Sequence, residues 1–105
     1  DRTVQMVFDT GASLTTVPTR IAQAAGILPR NAPTVTINTA GGVVQAPRIT
    51  IPELRIGTLV LRNVGAVALD LPGDLNSTGL LGLNAIGQLR VTIDRSRGKL
   101  ILESL

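Results

Sequence analysis

The strongest constraint on the fold is a period of two. In "PTVTINT", Pro33 to Thr39, Val35 and Ile37 alternate with polar residues, the pattern of a strand with one buried face. "AGG", Ala40 to Gly42, reads as a turn, and "VVQAPRITI" returns from it, which makes a hairpin with a glycine-rich tip. "TVQMVF" is another β-rich run. "GTLVLRNVGAVALD" reads as one or two strands, and "LRVTID" and "KLILES" flank the turn "RSRG" as a last hairpin. "LPGDLNSTG" is a loop. Helix is scarce: "PTRIAQAAGI" has Pro18 placed for a first turn and Gly26 as a stop, and "LNAIGQ" makes another turn or two. An all-β domain with one or two short helices is expected, residues 1–105 forming a single domain.

The residues the chain lacks narrow its chemistry. There is no cysteine and no histidine among the 105 residues. That removes disulfides, cysteine nucleophiles, Ser-His pairs and His or Cys metal sites together. Lys99 is the single lysine and lies in a turn-like stretch, an unsuitable place for a desolvated catalytic amine. Acid–base chemistry would therefore fall to carboxylates: Asp1, Asp9, Glu53, Asp70, Asp74, Asp94 and Glu103. No cofactor or metal is called for. The net charge is +3, and Arg90, Arg95, Arg97 and Lys99 cluster near the C-terminus. Single-strand nucleic-acid binders stack bases on aromatics, and Phe8 is the only aromatic residue here. A solvated hairpin surface is the better reading of that cluster. No apolar run approaches the 18 residues that suggest a membrane span. The opening Asp1-Arg2 carries no leader pattern and reads as the start of an excised domain.

Among the carboxylates, Asp9 has the most telling context. A β-rich run ends on it, and Thr10, Gly11, Ala12 and Ser13 crowd it with small side chains. A charge among apolar neighbours is costly unless it is hydrogen-bonded or paired. One reading is an Asx turn, with Asp9 accepting backbone N–H bonds. The other is a reactive carboxylate. Far downstream, "GLLGLN", Gly79 to Asn84, places two apolar residues before a glycine, which suits a buried strand passing tightly beneath another loop.

Together, Asp9-Thr10-Gly11-Ala12-Ser13 and Leu80-Leu81-Gly82 resemble the retropepsin-like aspartic proteases, and more closely their bacterial single-domain members. The order of features supports the likeness along nearly the whole chain: "DTGAS", a short helix ending in glycine, a "TAGG" hairpin tip, "LLG" with a small helix, and a final "VTID…GKLIL" hairpin. The resemblance implies a barrel-like acid-protease fold with a flap hairpin at Thr39, Ala40, Gly41 and Gly42. It implies Asp9 as the catalytic aspartate, supported by Thr10, Gly11 and Ala12, with Leu80, Leu81 and Gly82 near the substrate. Val7, Leu14 and Val17 are further apolar candidates for its walls, or for the core. It implies a polypeptide substrate, and a homodimer in which Asp9 of each copy meets at a two-fold axis, because the chain carries one Asp-Thr-Gly. Asp70 and Asp74 flank Pro72-Gly73 in a loop and lack the small-residue turn, Asp94 sits on the last hairpin where turn stabilisation is its expected job, and in "NSTG" Ser77 stands where the carboxylate should be.

The chain departs from the retroviral members in two ways. Where they carry an acidic residue and a partnering arginine, it has Ser13 and Leu83. The resemblance also implies a further strand before the Asp9 strand, joined by a turn where Asp1 and Arg2 stand; without it a sheet edge is unpaired and the dimer is expected to be weak. Bacterial relatives are often membrane-anchored through an upstream segment, and the sequence leaves the compartment open between that setting and the periplasm. The second reading is a catalytically silent peptide- or protein-binding module on the same fold.

Overall fold

The structure is a computed structural model, and it describes residues 2–39 and 41–105, apart from the side chain of Asp74. Asp1, and Ala40 of the expected flap tip, lie outside the described residues. The chain folds as β1 (Gln5–Phe8), β2 (Thr15–Val17), α1 (Thr19–Ala24), β3 (Thr34–Thr39), β4 (Gly42–Ile56), β5 (Leu59–Ala68), a 3-10 turn (Gly73–Leu75), β6 (Thr78–Leu81), α2 (Leu83–Ile86), β7 (Leu89–Asp94) and β8 (Lys99–Ser104). Six strands form one curled sheet in the order β1-β6-β2-β5-β4-β3, and β7 and β8 pair separately. The all-β expectation with two short helices holds.

Sequence neighbours are not spatial neighbours at the β1 end. β6 lies between β1 and β2, parallel to the first and antiparallel to the second. β2 in turn runs parallel to β5. The two short strands on either side of the Asp9 turn are therefore held apart by a strand from more than sixty residues later. One sheet face carries the core: Phe8 and Leu81 are register partners, and Val17 pairs with Ala68. Val64, Ile49 and Ile51 extend that core across β5 and β4, and Ala85, Ile86 and Leu89 close it. Burying this apolar surface is what stabilises so short a chain, at roughly 25 cal/mol per Å² removed from water.

β4 is longer than its sequence suggests, because it serves two partners in succession. Gly42 to Pro47 pair with β3, and Arg48 to Ile56 pair with β5. Pro47 falls where one partner gives way to the other. Pro52, which has no N–H to donate, faces Asn63, the single non-glycine with positive φ among the described residues, and the ladder skips that pair. Consequently the β3–β4 hairpin leaves the sheet as a two-stranded arm.

α1 follows Pro18, which caps it without a side-chain bond; the Asp70 carboxylate instead accepts the Thr19 N–H at 2.8 Å. "GTLVLRNVGAVALD" resolves into the one strand β5, and the loop "LPGDLNSTG" gives up its last two residues to β6.

Candidate active site

Asp9 stands just past the end of β1, and backbone bonds fix the turn on both sides. Its N–H donates to the Leu81 carbonyl at 3.1 Å, and its own carbonyl accepts the Ala12 N–H at 3.3 Å. The Gly11 N–H donates to Asp9 Oδ1 at 2.9 Å, an Asx-type bond that engages one carboxylate oxygen. A Cβ on Gly11 would lie 3.2 Å from that oxygen, so a residue without one lets the turn close. Oδ2 has no hydrogen-bond partner among the described residues. Asp9 is half-buried, while Thr10 is exposed.

A second segment braces this turn from below. Leu83 N–H donates to the Ala12 carbonyl at 2.8 Å and Asn84 N–H to the Ser13 carbonyl at 3.3 Å. The approach is close enough that a Cβ on Gly82 would stand 2.5 Å from the Leu14 carbonyl carbon. This is the tight passage that "GLLGLN" suggests.

Asn84 binds the two segments through its side chain. Its Oδ1 accepts the Thr15 N–H at 3.0 Å and the Thr15 hydroxyl at 2.9 Å, and its Nδ2 donates to the Gly65 carbonyl at 2.6 Å. Thr15 is fully buried, and its Oγ1 also accepts the Gly82 N–H at 3.1 Å. Thr16 does the same for Leu80 N–H at 3.0 Å. Side chains of β2 thus satisfy a backbone donor of β6 and that of Gly82 just beyond it, which a one-pair ladder leaves free. Asn84, Thr15 and Thr16 were not recognisable as site residues from the sequence, because their partners lie on other elements.

Three of the other described carboxylates have structural partners. Glu53 pairs with Arg55 at 2.7 Å and with Arg62 at 3.2 Å. Asp70 caps α1. Asp94 accepts from Ser96 Oγ at 2.8 Å and lies 3.7 Å from Arg97, which fits its expected place in a turn. Glu103 faces Arg90 across the β7–β8 ladder. Asp9 alone among these combines a small-residue turn, partial exposure and a free oxygen.

The strand alternation divides the apolar candidates. Met6, Phe8, Val17 and Leu81 face the core, where Leu81 is 5% exposed. Val7 and its register partner Leu80 share the opposite face, and continuing the alternation puts Asp9 on that face with them. Val7 and Leu14 are exposed and Leu80 is half-buried; Gly82 is buried under the Leu14 backbone.

The β3–β4 arm is closed by the Thr39–Gly42 pair, with Thr39 Oγ1 donating to the Gly42 carbonyl at 2.7 Å. Gly42 has φ +122°, a conformation that side-chain-bearing residues rarely adopt.

A cavity of about 740 Å³ lies elsewhere, between β1, α1, β4 and β8, with Met6, Phe8, Ile51 and Leu102 in its wall; Asp9 does not line it. The basic residues near the C-terminus are exposed on the β7–β8 hairpin. Among the described residues no group of three His, Cys, Asp or Glu could hold a metal, and no helix is long and apolar enough to cross a membrane.

Comparison with known proteins agrees with this fold. Residues 1–85 match the family described as "Aspartyl protease". The crystal structure of a retropepsin-like aspartic protease from Rickettsia conorii superposes with a TM-score of 0.69 at 29% identity, covering 92% of this chain and 70% of that one. A Sinorhizobium sp. protein described as "Uncharacterized protein in cobV 5'region" is 33% identical over 96 residues, 90% of this chain. The chain spans 41% of the length of that relative.

Proposed function

The chain belongs to the aspartyl protease family and has a retropepsin-like fold, and on that premise we propose that it is an aspartic endopeptidase. Its catalytic carboxylate is Asp9, and it works as a two-fold homodimer on extended polypeptide segments. The observation that carries this reading is the setting of Asp9: a small-residue turn presents a half-buried carboxylate with Oδ2 unengaged, whereas Glu53 and Asp94 are ion-paired and Asp70 holds the first N–H of α1.

The chemistry needs two such groups. Two carboxylates at hydrogen-bonding distance do not both ionise readily, so they share a proton. The ionised one takes a proton from a water held between them, and the water oxygen adds to the scissile carbonyl carbon. The protonated one hydrogen-bonds to the carbonyl oxygen, where negative charge develops. A single chain offers no second Asp-Thr-Gly, so a second copy supplies the partner across an isologous axis. Thr10, exposed beside Asp9, is placed to bond across that axis, and Gly11 and Ala12 keep the turn thin enough for substrate backbone to approach. Val7 and Leu80 favour apolar side chains next to the scissile bond. The β3–β4 arm, Thr39 to Gly42 at its tip, closes over the bound segment.

Asp9→Asn is the decisive variant, because it keeps the size of the side chain and removes the carboxylate. Loss of peptide cleavage with an unchanged denaturation curve supports the reading. Undiminished turnover by the Asn variant sinks it. Peptide binding without turnover by the unaltered protein would favour a silent binding module instead.

A further inference from the structure

Resting on the dimeric reading above, we infer that Leu83 is the apolar anchor through which the second copy docks. A two-fold axis beside Asp9 brings the surface around the Asp9 turn against its own copy. A charge on the axis itself meets its own like charge, and this surface offers no opposite charges to pair off the axis, so it can pair with itself only through neutral contacts. The sequence meets that condition around Asp9. Residues 3–19 contain no charged residue other than Asp9, and residues 75–89 contain none, although the chain carries 10 Lys and Arg. Both stretches come together at the site, through the Leu83–Ala12 and Asn84–Ser13 backbone bonds.

Within this neutral surface Leu83 is conspicuous. It opens α2, its N–H is bound to the Asp9 turn at 2.8 Å, and its side chain is 48% exposed. Its neighbours Ala85 and Ile86 turn into the core. Leu83 is therefore an apolar side chain on a rigid support, fastened one residue from the tight Gly82 crossing, with nothing among the described residues to cover it fully. A copy arriving about the Asp9 axis would bury it, and its position is set by the same backbone that positions Asp9.

The test is Leu83→Asp, with Leu83→Ala beside it. In the separate chain both should fold: the site is exposed, and an acidic residue suits a helical first turn. Sedimentation in an Asp9→Asn background, which prevents self-cleavage, reads the dimer alone. Leu83→Asp should weaken it by about 30-fold or more and Leu83→Ala by about 5-fold. In chains that keep Asp9, activity of Leu83→Asp should vanish at low concentration. It should return when two copies are joined by a flexible linker, which raises the effective concentration to the millimolar range. A dimer unchanged within about twofold in either variant overturns the role of Leu83 and leaves the dimeric reading standing. A parent protein that sediments as a monomer, yet cleaves with activity linear in concentration and dependent on Asp9, overturns the dimeric reading and this inference with it.

Discussion

Asn84 offers the most stringent check on how the site is held. Asn84→Ala removes one acceptor and one donor, and it strands the Thr15 N–H and the Gly65 carbonyl, with the Thr15 hydroxyl partly compensated by the Gly82 N–H bond it keeps. An unsatisfied buried polar group costs about 1–3 kcal/mol, and a net hydrogen bond about 1 kcal/mol. Two stranded backbone groups and one weakened hydroxyl therefore add up to about 3–5 kcal/mol. A domain of this size has about 5–15 kcal/mol in total. With a urea m value of about 1–2 kcal/mol per molar, a loss of 3 kcal/mol lowers the unfolding midpoint by roughly 1.5–3 M. Urea titrations followed by far-UV circular dichroism, in an Asp9→Asn background, give the number directly. Asn84→Asp separates the contributions: it keeps both Thr15 bonds, and it loses the donor that the Gly65 carbonyl accepts. Its cost should fall below that of Asn84→Ala, provided the new charge is relieved by the Thr15 donors. A change under about 1 kcal/mol for Asn84→Ala would refute the claim that this side chain fastens the Asp9 turn to the sheet.

Other substitutions probe the turn, the crossing and the arm. Gly82→Ala places a methyl group 2.5 Å from the Leu14 backbone, where nothing flexible can yield, and should destabilise by about 3 kcal/mol or more in the same titration. Gly11→Ala crowds Asp9 Oδ1 at 3.2 Å; cleavage should fall about tenfold or more while the denaturation midpoint moves little. Gly42→Val forces a β-branched residue to φ +122° and should cost about 1–3 kcal/mol, with a raised KM if the arm covers substrate. Asp70→Ala removes the carboxylate that accepts the Thr19 N–H and should cost about 1 kcal/mol, leaving cleavage at saturating substrate unaffected.

Much of this protein was legible along the chain. Period-two alternation in β3, the glycine at the hairpin tip, Pro18 ahead of α1 and the turn chemistry around Asp94 act over a few residues, so local rules found them. The pairing of "DTGAS" with "LLG" was legible as well, through resemblance and because only a glycine fits so close a crossing. The lack of histidine and cysteine left the carboxylates as the chemical candidates, and the small residues after Asp9 singled it out. Which strands become neighbours was decided by the tertiary structure alone. β6 slots between β1 and β2, and no local preference encodes a contact across more than sixty residues. The same holds for the fate of near-identical side chains. Leu80 and Leu81 are adjacent and equally apolar, yet one looks towards Asp9 and the other into the core, because strand register, not residue type, assigns the face. Asn84 shows the limit most clearly. As a residue type it is unremarked on a short helix, and it becomes the fastener of the site only when folding brings Thr15 and Gly65 within hydrogen-bonding distance, where burial makes each of those bonds costly to lose.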